Sequence, residues 1–122
     1  MSSAHLERGA AAERLAAQYL QQCGLKILAR NLRCRWGEID LLCLDAEVLA
    51  VVEVRQRQRS DFGGALNSVT WAKRRKIIRA TQFILCREAH WQYFALRFDV
   101  FAIEGRPDGA HRIEWVKDAF RA

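Results

Sequence analysis

Several residue patterns that mark common chemistries are missing from this 122-residue chain. Its four cysteines contain no C-x-x-C pair and its three histidines show no ligand spacing, which argues against a structural zinc site. It also has no glycine-rich phosphate loop, no Ser-His-Asp set and no flavin or nicotinamide fingerprint. Candidate chemistry must therefore be sought among its other polar side chains.

Long apolar runs are missing as well. No uninterrupted apolar stretch approaches the length of a transmembrane span, and the first eight residues lack the apolar core of a signal peptide. Scattered, unpaired cysteines suit a reducing compartment. We therefore expect a cytoplasmic protein that does not enter a membrane.

Positive charge is in excess, with 20 Lys and Arg against 14 Asp and Glu. A net charge of +6 favours polyanionic partners, either nucleic acid or an anionic membrane surface. The length predicts a single domain, residues 1–122, that can bury a core without disulfides.

The pattern of apolar residues and turn signals predicts the element order α-β-β-β-α-β-β. The expected helices are 3–23 and 71–88, and the expected strands are 26–34, 37–44, 48–55, 94–103 and 112–116. Thr70 or Ser68 is the expected N-cap of the second helix. An α/β fold with helices on a mixed sheet accommodates this order, and the strand after the second helix should pair in parallel with an earlier strand.

The second and third strands form an expected hairpin that carries two acids, Asp40 and Glu53. A turn centred between residues 46 and 47 sets these carboxylates opposite each other, where like charges repel. A hard divalent cation would explain the pair, because Mg²⁺ is often held by one or two protein carboxylates. Solvated acids on an edge strand, or acids paired with nearby arginines, are the alternatives.

The same register places Glu38 opposite Arg55 and on the same face as the two acids. Leu42, Leu44, Leu49 and Val51 continue that face as apolar residues. A salt-bridged edge and an active-site end of a sheet both account for this cluster of charges.

Two segments carry a resemblance to a known family. Gly-Glu-Ile-Asp-Leu-Leu at 37–42, followed by Val-Glu-Val-Arg-Gln-Arg at 52–57, resembles the YraN family of predicted endonucleases. Shorter matches, including 31–33 and 97–100, extend the resemblance over nearly the whole chain. It implies a restriction-endonuclease-like fold, a mixed β-sheet flanked by helices, similar to that of archaeal Holliday junction resolvases.

The resemblance also implies a site. Asp40 and Glu53 would bind Mg²⁺ or Mn²⁺ with help from the Val54 carbonyl, and Glu13 matches a first-helix acid that often completes such a site. A boundary glutamate paired with an arginine is an equally good interpretation of Glu13. Glu38 is a candidate accessory ligand, or a partner for Arg55.

Arg55 departs from the family pattern, which has lysine there. In such nucleases the lysine helps to position and activate water, whereas arginine keeps its proton at neutral pH and binds phosphate as a planar fork. Two functions follow: a metal-dependent endonuclease hydrolysing DNA phosphodiesters, including those of branched DNA, or a catalytically weakened or inactive nucleic-acid-binding module of the same fold. A structural domain with incidental charges is the third reading.

Basic residues surround the acidic pair in sequence. The predicted phosphate contacts are Arg57, Arg59, Lys73, Arg74, Arg75 and Lys76, together with Arg55. Phosphate contacts give affinity with little sequence specificity. Four consecutive basic residues cannot all face one ligand on a helix, so some must belong to a solvated face. The expected partner is DNA, and a homodimer is a candidate assembly by analogy with the resolvases.

Overall fold

The structure is a computed structural model that describes residues 3–58 and 64–122. Its elements are α1 (Ser3–Gln22), β1 (Lys26–Cys34), β2 (Gly37–Asp45), β3 (Val48–Arg57), α2 (Gly64–Asn67), α3 (Trp71–Leu85), a 3₁₀ helix (Ala89–Tyr93), β4 (Ala95–Gly105) and β5 (His111–Phe120). The predicted order is confirmed, and two short helices are added to it. Among the described helices, none is long and apolar enough to cross a membrane.

The five strands form one mixed sheet in the order β1-β2-β3-β4-β5. All neighbours are antiparallel except β3 and β4, which run parallel and are linked through α3, as the sequence predicted. β5 is longer than expected because its pairing shifts between Phe98 and Val100 and then continues to Phe120. Asp118 takes a positive φ of 52° near this irregularity.

Helices cover both faces of the sheet and create two cores. The α3 side buries residues from all parts of the fold, namely Ile39, Leu42, Leu49, Val51, Ile77, Phe98, Val100 and Phe120. The α1 side buries Ala12, Ala16, Leu20, Leu41, Cys43, Ala50, Val52, Phe101 and Ile103. Burial on both faces explains why β2 and β3 read as nearly continuous apolar runs.

The first turn of α3 is held firmly at its start. The Thr70 side chain accepts a hydrogen bond from the Lys73 N–H at 3.1 Å, which confirms Thr70 as the N-cap. Arg74 is buried, and its guanidinium donates to the carbonyl oxygens of Val69 and Leu66 at 2.9 and 2.8 Å. These bonds fix the direction in which the neighbouring side chains leave the helix.

A buried polar network joins β4 to β5 and to the end of β2. Asp99 is fully buried and accepts hydrogen bonds from Arg97, from the Trp115 indole and from the Asp118 backbone N–H. Arg97 also forms an ion pair of 2.8 Å with Asp45 at the end of the β2–β3 hairpin. A buried carboxylate is tolerated when its lone pairs are satisfied in this way.

Gly105 ends β4 in a conformation that requires glycine. Its φ is +97°, and an added Cβ would lie 2.5 Å from the Ala110 carbonyl oxygen. Gly105→Ala should therefore lower the free energy of unfolding by about 1–3 kcal/mol, measured by urea titration. Gly9→Ala is the matched control: Gly9 lies within α1 with no atom in reach of a Cβ, so the same change should stabilise by about 0.5–1 kcal/mol. Equal effects at the two positions would contradict this account.

Candidate active site

The β2–β3 hairpin has the predicted register. Its pairs run from Asp45–Val48 to Leu41–Val52, and every pair fits a turn centred between residues 46 and 47. The ladder ends there, so Asp40 and Glu53 occupy the next position on each strand, just past the last pair. The two acids thus flank the point at which the strands part.

The usual alternation of β2 fails at Asp40. Leu41 packs into the α1-side core, whereas Ile39 and Leu42 both pack into the α3-side core. Asp40 Oδ2 accepts a hydrogen bond of 2.9 Å from the Val54 N–H. The side chain of Asp40 has therefore taken the place of a backbone acceptor, and it points along the sheet toward β3.

Burial and mutual repulsion make the two carboxylates unfavourable when both are ionised. Asp40 is 8% exposed and Glu53 is 4% exposed. Burial, a side-chain hydrogen bond with Glu53 and the negative charge of Glu53 together raise the pKa of Asp40 from 3.8 to about 8. The Val54 N–H opposes this rise because it favours the charged form. Asp40 therefore keeps its proton to a pH well above the usual carboxylate range.

The donor atoms of this pair suit a hard divalent cation. The available ligand atoms are all oxygens. The N–H and C=O of one residue in an extended strand point to the same edge, and the Val54 N–H points to Asp40, so the Val54 carbonyl oxygen lies on the side of Asp40 as well. Within residues 3–58 and 64–122, no group of three or more His, Cys, Asp or Glu has metal-binding geometry. A two-carboxylate arrangement fits Mg²⁺ or Mn²⁺, which retain several waters when bound by proteins.

Glu13 lies on α1 near the acidic pair but is bonded elsewhere. Its carboxylate accepts a hydrogen bond of 2.9 Å from the side-chain amide of Asn31, and not from an arginine. Burial raises the pKa of Glu13; the Asn31 bond opposes the rise, and the charges of Asp40 and Glu38 add to it. Glu13 is thus within electrostatic reach of Asp40 without joining it in a cluster of three acids.

Asn31 connects these parts and was not singled out as a site residue from sequence. Asn31 on β1 lies opposite Asp40 on β2, because the paired residues on either side of them are Arg30–Leu41 and Leu32–Ile39. Its φ is 52°, a left-handed conformation that asparagine tolerates better than most residues. The irregular backbone of β1 at Asn31 therefore lies opposite the point at which the alternation of β2 fails.

The other two charged residues of the hairpin, Glu38 and Arg55, do not pair with each other. Glu38 forms an ion pair of 3.1 Å with Arg33 on β1, so the expected partnership with Arg55 is not formed. Arg55 is exposed on β3, level with Ala102 of β4. Among the described residues Arg55 has no ion-pair partner, which leaves its guanidinium available to solvent.

Lys73 enters the site from α3. Its Nζ lies 3.7 Å from Glu53 Oε2, and its side chain is 37% exposed while that of Glu53 is 4% exposed. From sequence this lysine was one of several residues of a basic rim. The fold distinguishes it from its neighbours, because α3 crosses the sheet with Lys73 directed at the acidic pair.

The remaining basic residues fall into two groups. Arg74 is committed to backbone carbonyls, and Arg57 binds Glu104 at 3.3 Å and the Gly64 carbonyl at 3.0 Å, so both have structural roles. Arg75 and Lys76 are exposed on α3, where a phosphate could reach them. Arg59 lies outside the described residues.

A basic groove of about 790 Å³ runs along α3, from Ala72 to Gln82. Its charged and aromatic lining is Arg35, Trp36, Arg75, Lys76 and Arg79, and no acidic side chain is among its described lining residues. Two guanidinium groups lie over the Trp36 ring, that of Arg35 at 4.8 Å and that of Arg79 at 4.3 Å from the ring centroid.

The groove reaches the start of β2, because Trp36 lines it and Gly37, three residues before Asp40, follows directly. An added Cβ at Gly37 would lie 3.5 Å from the Lys76 carbonyl oxygen, so β2 begins directly against α3. Trp36 and Arg35 were absent from the predicted contacts. The sequence signal was a basic-aromatic dipeptide immediately before the Gly-Glu-Ile-Asp segment.

Comparison with known proteins gives one family. The family model described as "Uncharacterised protein family UPF0102" matches residues 12–103. A UPF0102 protein of Pseudomonas putida strain KT2440 is 46% identical over 112 residues, which cover 92% of this chain and 90% of that protein. A relative from Pseudomonas fluorescens strain Pf0-1 is 44% identical over 95% of this chain and 94% of its own length. With the matched region containing the whole acidic pair and α3, the chain belongs to the UPF0102 family.

Proposed function

We propose that this protein is a divalent-metal-dependent endonuclease that hydrolyses DNA phosphodiesters. The observation that carries the proposal is the buried Asp40–Glu53 pair, whose carboxylates repel each other unless a proton or a cation lies between them. A raised pKa at an acid with a specific charged neighbour is a common property of active sites. Asp40 is moreover held in place by the Val54 N–H, which is the preorganisation that a metal site needs.

The proposed reaction is a hydrolysis. The oxygen of a water molecule forms a bond to phosphorus, the bond from phosphorus to one ester oxygen breaks, and a proton lost by the water is balanced by one gained by the leaving oxygen. Asp40 and Glu53 would hold Mg²⁺ or Mn²⁺, which when bound neutralises phosphate charge and acidifies water. The positive side chains at the site, Arg55 and Lys73, would attract and orient the phosphodiester.

The basic groove supports DNA as the substrate. Four of its lining residues are cationic, and Trp36 offers an aromatic surface supported by two arginines. Such a surface binds a phosphate backbone chiefly through charge. Because the groove adjoins β2 at Gly37, a strand lying along it would continue toward Asp40. The preference for branched DNA rests on the resemblance to resolvases.

The alternative is a nucleic-acid-binding module that no longer cuts. The observation favouring it is Arg55, which is exposed at the position where the family pattern has lysine and which keeps its proton at neutral pH. Both proposals predict binding of metal and DNA. Cleavage of linear, flap and four-way DNA, screened with Mg²⁺ and Mn²⁺, separates them.

A cation should bind the acidic pair in the absence of DNA. Adding Mg²⁺ or Mn²⁺ at millimolar concentration should raise the melting temperature of the protein, since a ligand that binds only the folded state stabilises it. Asp40→Asn should remove that rise, whereas Asp108→Asn, a change in the exposed β4–β5 turn, should retain it. Titration calorimetry that detects no metal binding by the parent would contradict a preformed site.

Without metal, the acidic pair should make stability depend on pH. The pKa of Asp40 lies above its ordinary value in the folded protein, so the folded state binds the proton more tightly and loses stability as pH rises from 3.8 toward about 8. In EDTA, Asp40→Asn should therefore raise the melting temperature over that of the parent, and more so at alkaline than at acidic pH. A difference that does not change with pH would show that the pKa of Asp40 is not raised in the folded protein.

DNA binding should be largely electrostatic. Affinity for linear duplex should fall steeply with salt and vary little with sequence, measured by fluorescence anisotropy in EDTA or Ca²⁺. Arg75→Gln in the groove should reduce the slope of log affinity against log salt by about one. Arg87→Gln, an equivalent change at an exposed arginine beyond the end of α3, should leave the slope unaltered. Salt-independent binding would exclude the groove as a phosphate site.

A further inference from the structure

One cation lies inside the acidic site, and it comes from a helix instead of from the strand that carries Glu53. Lys73 Nζ is 3.7 Å from Glu53 Oε2, whereas Arg55, two residues after Glu53, is exposed and without an ion-pair partner among the described residues. We propose that Lys73 is a catalytic residue that supplies the positive charge the family pattern places on β3. This inference rests on the proposed nuclease function and assigns one of its groups.

The position of Lys73 is fixed by bonds around its backbone. Its N–H is bound by the Thr70 cap at 3.1 Å, and the next residue, Arg74, is anchored to the carbonyls of Val69 and Leu66. Ile77, one turn further along α3, is buried in the α3-side core. Because the backbone at the start of the helix is held in this way, the Lys73 side chain is directed to Glu53, and a reacting group requires such positioning.

The side chain also has access to a substrate. Glu53 is almost fully buried, but 37% of the Lys73 side chain remains exposed, so the ammonium lies between the buried acid and solvent. A phosphodiester approaching the acidic pair from solvent would meet this ammonium. Lysine presents three donors on a flexible stem, which allows it to exchange a carboxylate partner for a phosphate oxygen or an attacking water.

A simpler role is conceivable on the same geometry: Lys73 could do no more than neutralise a buried glutamate. The two roles differ in their effect on metal affinity and on rescue. A lysine that serves only as a counter-ion to Glu53 should not be replaceable by a lysine at position 55, where the present side chain is exposed and, among the described residues, forms no ion pair with Glu53. A lysine that acts on the phosphate can be replaced from position 55, because Arg55 sits beside Glu53 on β3.

The experiment uses the full chain with lysine changed to methionine, which keeps the length of the side chain and removes its charge. The variants are Lys73→Met, Arg55→Lys, the double variant with both changes, Asp40→Asn as the site-dead reference, and Lys26→Met as the matched control. Lys26 is exposed at the start of β1, paired with Leu44 at the far end of the ladder from Asp40. Each protein is first checked for a cooperative thermal transition.

Two readouts are measured. Titration calorimetry gives Mn²⁺ affinity without DNA, and single-turnover assays with saturating four-way and linear DNA give the cleavage rate. Lys73→Met should bind Mn²⁺ more tightly than the parent, because the cation that competes for Glu53 is gone, yet cut about 10²–10³-fold more slowly. Lys26→Met should match the parent in both. The double variant should regain most of the lost rate, and Arg55→Lys alone should alter the rate much less.

The outcomes keep this inference separate from the proposed function. If the parent does not cut, or cuts as well after Asp40→Asn, the nuclease proposal fails and the catalytic role of Lys73 fails with it. If the parent cuts, Asp40→Asn does not, and Lys73→Met cuts like the parent, only the assignment of Lys73 is overturned. Weaker Mn²⁺ binding by Lys73→Met, or no rescue by Arg55→Lys, would equally overturn it and leave Lys73 as a structural counter-ion.

Discussion

The hydrogen bond from the Val54 N–H to Asp40 is the interaction on which the site depends. A side-chain carboxylate here replaces the backbone acceptor that would continue the β2–β3 ladder past Leu41 and Val52. The replacement satisfies a backbone donor that would otherwise lose its partner where the strands part. It also prevents Asp40 from rotating away from Glu53. The same bond therefore ends the ladder in an orderly way and holds two buried acids together.

The charges of the described part of the protein divide according to whether the fold satisfies them. Arg97 pairs with both Asp99 and Asp45, and Arg57 pairs with Glu104; these ion pairs join strands near their ends. The acidic pair differs, because its two buried carboxylates face each other with one partly exposed lysine and one backbone N–H to offset their charge. Unbalanced buried charge is unfavourable for stability, and natural proteins retain it chiefly at functional sites.

Local patterns in the sequence were sufficient to place the acidic pair but not its surroundings. The predicted register follows from a turn centred between residues 46 and 47, and that turn was enough to bring Asp40 and Glu53 together. The sequence could not show that Arg74 is buried while Lys73 faces Glu53. Adjacent residues on a helix point about 100° apart, so whether each one is buried or reaches the acidic pair depends on how α3 is rotated over the sheet. The positions of Asn31 and Trp36 were not predicted for a related reason. That of Asn31 depends on a positive φ, and that of Trp36 on a contact with Arg79, which is distant in sequence.

The arginine at position 55 takes on a different meaning in three dimensions. Within one strand it looks like the loss of a required lysine, because the family pattern is read along the chain. Binding of a phosphodiester depends on where positive charge lies in space relative to its oxygens, and not on the order of residues along the chain. α3 brings the ammonium of Lys73 within 3.7 Å of Glu53, so a lysine lies beside the acidic pair in space although position 55 of the strand carries arginine. An exposed Arg55 is then free to serve as an outer phosphate contact, a task for which a permanently charged, planar fork is well suited.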